Sequence, residues 1–214
     1  KPVTISESKF NPLYGLKSYT VDSIALSLKV TASMSELLGT KTSVFIKSYG
    51  QGGLATASFR GTSASHTPVY WNDVAIHSPM LSQMDFSLIP VFFLDDINLF
   101  YGGSSLVNKS GGLGGSINLD NKKLTNSKSK VSLVQQIGSF STYGIYADVN
   151  FENGNFTGRT RIMYLTSEND FSFLNNAVTN ADYIRQTRED AGYYQYGILQ
   201  ELYFNRKNND EVSL

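Results

Sequence analysis

Between residues 143 and 152 the chain alternates without a break. Tyr143, Ile145, Ala147, Val149 and Phe151 fall on one face of an extended segment, and Gly144, Tyr146, Asp148, Asn150 and Glu152 fall on the other. A helix would scatter these side chains around its circumference, so strict period two predicts a long strand. Asn153-Gly154 suits a tight hairpin, and residues 156–166 return with Phe156, Ile162 and Tyr164 on one side and Arg159 and Arg161 on the other. Residues 193–204 repeat the design, with Tyr194, Tyr196, Ile198, Leu202 and Phe204 set against Gln195 and Glu201. Strands of this length suffice for an oblique bilayer crossing.

No run of about 18 apolar residues occurs, which excludes a transmembrane helix. Barrel strands escape that test, because alternating lipid-facing with lumen-facing residues dilutes a mean hydropathy that here is -0.20. The connections at 138–142, 153–155 and 205–210 are short and that at 167–192 is long, an asymmetry typical of outer-membrane barrels. Periodicity alone also admits a soluble β-sandwich, as in an adhesin or carbohydrate-binding module. Residues 211–214 open a further strand, so residues 131–214 read as the first strands of a truncated transmembrane β-barrel.

Upstream of a polar stretch carrying four lysines, the texture changes to short apolar pieces broken by glycine. The expected domains are residues 1–120, a linker at 121–130, and the strands at 131–214. Ser33-Met34-Ser35-Glu36 has capping-box spacing, Leu37 and Leu38 follow, and Gly39 suits a helix stop. Strands are predicted at 43–47, 55–60, 69–71 and 96–100. Together these make a small mixed α+β unit.

Eighteen basic and eighteen acidic residues give zero net charge, which offers no field to recruit nucleic acid. With no cysteine, thiolate metal sites and a Cys nucleophile are excluded. His66 and His77 are the sole imidazoles, and neither sits in a nucleophile-elbow context, so no enzyme and no catalytic residue is expected. The glycines at 111–115 lack the Lys-Ser or Lys-Thr of a phosphate-binding loop. Asn108-Lys109-Ser110 and Asn155-Phe156-Thr157 fit glycosylation sequons at the level of chance. Glu168, Asp170, Asp182, Glu189 and Asp190 follow no calcium-loop spacing and read as a solvated loop, without a metal.

Four segments in order carry a family resemblance. Ser58-Phe59-Arg60-Gly61 leads to Val69-Tyr70-Trp71-Asn72-Asp73-Val74-Ala75-Ile76. Met84-Asp85-Phe86-Ser87-Leu88-Ile89-Pro90 then precedes Asp96-Ile97-Asn98-Leu99-Phe100, and Gly111-Gly112-Leu113-Gly114-Gly115-Ser116-Ile117-Asn118-Leu119 closes the series. The series resembles the plug domain of TonB-dependent outer-membrane receptors. Arg60-Gly61-Thr62 with Ala64-Ser65-His66 is most similar to the cobalamin (vitamin B12) receptors. Two departures are Asp73, where the family usually has glycine, and Tyr101-Gly102, where it usually has Arg-Gly.

The resemblance implies a bacterial outer-membrane receptor for active uptake of a scarce nutrient, a corrinoid, with a siderophore or peptide receptor as the alternative and no cofactor. It places Pro2, Val3, Thr4, Ile5 and Ser6 where relatives keep the TonB box. Alternating β-branched residues there suit strand addition, and equally suit a first strand of the plug sheet. It implies that Arg60 pairs with acidic groups on the barrel wall. It also puts two loops on the outward side, where Tyr49, Gln51, Ser82 and Gln83 offer hydrogen bonds to a ligand and Leu54, Met80 and Leu81 offer apolar contact. The implied partners are the TonB protein, a small nutrient ligand, outer-membrane lipid and a surface lipoprotein.

Overall fold

The computed structural model describes residues 17–102, 112–122, 129–175, 184–205 and 211–213. The first elements are β1 (Lys17–Thr20), α1 (Ser23–Leu28) and α2 (Met34–Lys41). Ser33 caps α2, its hydroxyl accepting the Glu36 amide at 3.3 Å. Glu36 does not reach back as a capping box would; its carboxylate pairs with Lys29 Nζ at 2.5 Å. Nor does Gly39 stop the helix. It keeps helical backbone beneath Ile46, and the helix runs on to Thr42, whose amide and hydroxyl both donate to the Leu38 carbonyl. Packing of buried Met34, Leu37 and Leu38 outweighs the local glycine signal.

A hairpin of β2 (Phe45–Ser48) and β3 (Ala55–Ser58) follows, then β4 (Val69–Trp71), β5 (Val74–Ala75), β6 (Asp96–Tyr101) and β7 (Gly115–Asp120). The strand predicted at 69–71 is matched at both ends, and the ends of the other three predicted strands move by at most two residues. Strands β1, β6, β7, β4 and β5 form one sheet in that order, β4 and β7 being parallel. Its core is cross-strand: Ile97 faces Leu119 and Leu99 faces Ile117, all four fully buried. Each such side chain stabilises the fold by about 1.5–3 kcal/mol relative to exposure. The glycine-rich close has a steric reason at Gly115. With φ at +159°, a Cβ there would lie 2.4 Å from the Phe100 carbonyl oxygen and 2.9 Å from the Phe59 ring.

The remaining strands are β8 (Lys130–Gly138), β9 (Thr142–Asn153), β10 (Phe156–Ser167), β11 (Ser172–Asn175), β12 (Ile184–Thr187), β13 (Tyr193–Asn205) and β14 (Glu211–Ser213). An antiparallel sheet runs β14-β13-β10-β9-β8, and β11 and β12 pair as a separate hairpin inside the long connection. That connection is therefore partly ordered rather than a plain solvated loop. Gly154-Asn155 forms the two-residue turn between β9 and β10, with φ of +59° at Gly154. The short turn at 139–141 lies at the same end as the long connection, because β8 ends and β13 begins there. Short and long connections thus do not separate cleanly between the two ends.

This sheet inverts the burial of a soluble protein. Tyr194, Tyr196 and Ile198 are 71%, 76% and 69% exposed, while Arg161 is fully buried. Tyr143, Tyr164, Tyr194 and Tyr196 cluster on the exposed face near the long connection, and Phe151, Phe156 and Phe204 on the same face near the opposite end. The eight-residue step from Tyr143 to Phe151 is roughly 27 Å of strand, or about 20 Å of depth at a usual tilt, close to the height of a lipid-facing band. No described helix is long and apolar enough to cross a membrane.

Candidate plug-wall interface and ligand loops

The inward face of β8, β9, β10 and β13 carries the first domain, and residues 88–95 run down it. At the long-connection end, Gln195 Nε2 donates to the Leu88 carbonyl at 3.0 Å. A 3-10 turn at Val91–Phe93 then presents two rings to the wall. Phe92 and Phe93 pack with Tyr146 and Met163 in a buried cluster, and the Tyr146 hydroxyl donates to the Thr31 carbonyl at 3.3 Å. Phe93 sits where a Cβ on Gly197 would be, 2.7 Å from its ring, so only glycine admits it.

Below the rings lies a charged cluster. Asp95 accepts both bonds of a fork from Arg159 Nη1 at 2.9 Å, and further bonds from Arg161 at 3.2 and 3.3 Å. Arg159 also grips Asp148 at 2.8 Å, and Arg161 grips Glu201 at 2.8 Å and the Phe92 carbonyl at 3.3 Å. Two guanidiniums thus face three carboxylates, and bidentate geometry makes these strong charge-assisted bonds. Arg161 Nε alone has no partner. Asp95 also accepts the Lys122 amide at 3.0 Å, and Asn121 Nδ2 donates to the Phe93 carbonyl at 2.6 Å, so the start of the inter-domain connection is tied to the same point.

Alternation sets Arg159, Arg161, Asp148 and Glu201 opposite the apolar faces of their strands, but gives no sign of Asp95, which the two arginines share. Among the described residues Arg60 forms no ion pair, and these strands are less than a third of the length of the matched receptors. Arg60 is exposed at a turn with φ of +49°, and Asp95 supplies the plug-side charge to this wall with the opposite sign. The register carried a signal, since Arg161 directly faces Asp148 and Arg159 directly faces Glu201.

The two predicted ligand loops share a root. The Ala55 amide donates to Asp85 at 2.9 Å, and the Phe86 amide donates to the Ala55 carbonyl at 2.8 Å. Tyr49, Gln51, Leu54, Met80, Leu81 and Ser82 are exposed and Gln83 is half-buried, with Met80 93% exposed at the loop tip. Lys47 Nζ lies 5.2 Å from the Tyr49 ring centre, and its hydrogen bond and charge interaction with Tyr49 raise the Lys47 pKa. Asn169, in the long connection, donates to the Gln51 carbonyl at 3.0 Å, which puts the first loop at the long-connection end. A cleft of about 650 Å³ opens between plug and wall there, lined by Ser33, Gln136, Tyr146, Tyr193 and Gln195 among others. His66 and His77 are both exposed. Among the described residues no three acidic or histidine side chains converge as a metal site, and Asp182 lies outside them, as do Pro2, Val3, Thr4, Ile5 and Ser6.

Residues 17–116 match the family described as TonB-dependent Receptor Plug Domain. That match takes in just under half of the chain, and the first domain has the plug fold. Solved structures share the fold across both parts. A pyoverdine outer membrane receptor, FpvA from Pseudomonas aeruginosa PAO1, is 16% identical with a TM-score of 0.71, over 92% of this chain and 26% of that one. The FrpB iron transporter from Neisseria meningitidis is 16% identical with a TM-score of 0.73, over 92% and 30%. Copper transporter OprC is 13% identical with a TM-score of 0.72, over 97% and 31%. The chain thus spans less than a third of these structures' length. No curated protein matches the chain. The fold is a plug followed by antiparallel strands of an unclosed barrel, and its setting is the bacterial outer membrane. The likeness to cobalamin receptors at residues 60–66 finds no support in these structures.

Proposed function

We propose that the chain is the amino-terminal part of a receptor that takes up a scarce nutrient across the outer membrane, driven by the TonB protein. The observation that carries this reading is the plug seated on the polar inward face of strands whose other face is apolar and exposed. A soluble adhesin or carbohydrate-binding module would bury that face instead. A ferric siderophore is the favoured ligand, ahead of a corrinoid, since receptors for siderophores and iron share the fold. Tyr49, Gln51, Leu54, Met80, Leu81, Ser82 and Gln83 are the proposed plug contacts, and Pro2–Ser6 the proposed TonB contact by strand addition.

The test uses the full receptor in a strain stripped of its own siderophore receptors. Uptake of a panel of ferric siderophores is expected, lost when TonB is deleted or residues 2–6 are replaced by glycine and serine. Cyanocobalamin binding without siderophore uptake would restore the corrinoid, and uptake indifferent to TonB would refute the reading.

A further inference from the structure

Of the plug segments that touch the described strands, one is held by three different kinds of contact. Segment 88–95 meets the strands through a hydrogen bond at Leu88, an interlocked ring at Phe93 and a cluster of five charges at Asp95.

We infer that segment 88–95 stays docked on strands β9, β10 and β13 throughout transport, and that the path for the nutrient opens on another side of the plug. Three physical features lead there. Lifting Asp95 would leave Arg161, fully buried, facing a wall with one fewer counter-charge, which the interior penalises heavily. Sliding the segment along the wall would drive the Phe93 ring off the glycine that admits it and onto neighbours that carry a Cβ. The third feature is topological: Asp95 and Phe93 also hold Lys122 and Asn121, where the chain leaves the plug for the wall, so seat and connection would have to yield together. The 650 Å³ cleft on this side has Tyr146 and Met163, which belong to the seat, in its lining. Extending it inward would therefore break these contacts all at once.

The inference rests on the uptake reading above, and reversible cross-linking in the full receptor separates the two. A bis-thiosulfonate linker, attached through disulfides, joins Phe93→Cys to Gly197→Cys across the seat and Leu88→Cys to Gln195→Cys higher up, because in both pairs the contact is made by the far end of a side chain, beyond the reach of a direct disulfide. This chain contains no cysteine, and any in the rest of the receptor is first replaced by serine. With linking verified by mass spectrometry, each linked pair is expected to transport ferric siderophore within two-fold of its reduced form. A larger loss on linking that reduction reverses, in either pair, overturns the inference. Absence of TonB-dependent uptake from the unsubstituted receptor instead defeats the uptake reading. Should one pair fail to fold, the other decides.

Discussion

Asp95 is one carboxylate answering two arginines, and its neighbour Asp96 makes a useful contrast. Asp96 pairs with Lys122, whose side chain is 63% exposed, so that bond competes with water. Removing Asp95 strips a shielded partner from Arg159 and Arg161, and Asp95→Ala is expected to cost about 3 kcal/mol. Asp96→Ala should cost under about 1 kcal/mol, and Arg60→Ala, at an exposed turn, under about 0.5 kcal/mol. Denaturant midpoints in detergent micelles measure all three, and equal losses at Asp95 and Asp96 would contradict the cluster's role. Asp120 gives a pH signature. Burial raises its pKa, against the hydrogen bond from Asn98. Its contribution is therefore intact below the unfolded value, near 3.9, and is lost as pH rises through the higher folded value. Asp120→Asn should raise the thermal midpoint at pH 7 and leave it unchanged at pH 3. Of this scale the sequence revealed the charged faces, because alternation sorts residues by face. Asp95 stayed hidden because a loop residue has no periodicity to reveal its direction.

Elements were legible in proportion to their length. Twelve residues of β9 contain six repeats of a two-residue pattern, whereas the four residues of β1 contain too few to stand out. The six-residue helix α1 was missed, although Asp22 caps it by accepting the Ile24 amide at 3.2 Å. The Ser33 cap was readable, and the helix end was not, since packing under Ile46 decided it. Gly197 has no side chain to mark a face in the β13 pattern, yet the Phe93 ring of the plug fills the space a Cβ would take there. Gly197→Ala is expected to push Phe93 aside at a cost of about 1–3 kcal/mol. Gly154→Ala, where nothing lies within 4 Å, tests backbone conformation alone. If both lose the same stability by urea unfolding, the interlock at Phe93 contributes nothing.

For the whole molecule, the decisive property is which face of the second sheet meets lipid. One polar pair sits midway between the tyrosine and phenylalanine groups, and its bonding explains why it is tolerated. The Thr160 hydroxyl donates to Gln200 Oε1 at 2.6 Å, while Gln200 Nε2 donates to the carbonyls of Arg159 and Glu201 at 3.2 and 3.3 Å. A lysine on the same face has no such internal partners. Ile162 and Ile198 face each other across β10 and β13, about half exposed or more, and flank this pair. Ile198→Lys in the full receptor should cost about 2–4 kcal/mol for folding into a bilayer, as charges near the midplane of a barrel do. The same change at Ile24, exposed on the plug helix α1, should shift folding by no more than about 0.5 kcal/mol. Equilibrium refolding into liposomes across a denaturant series compares the two. A water-facing sheet would reverse the order, since a lysine on an exposed apolar strand would then raise solubility and leave stability nearly unchanged.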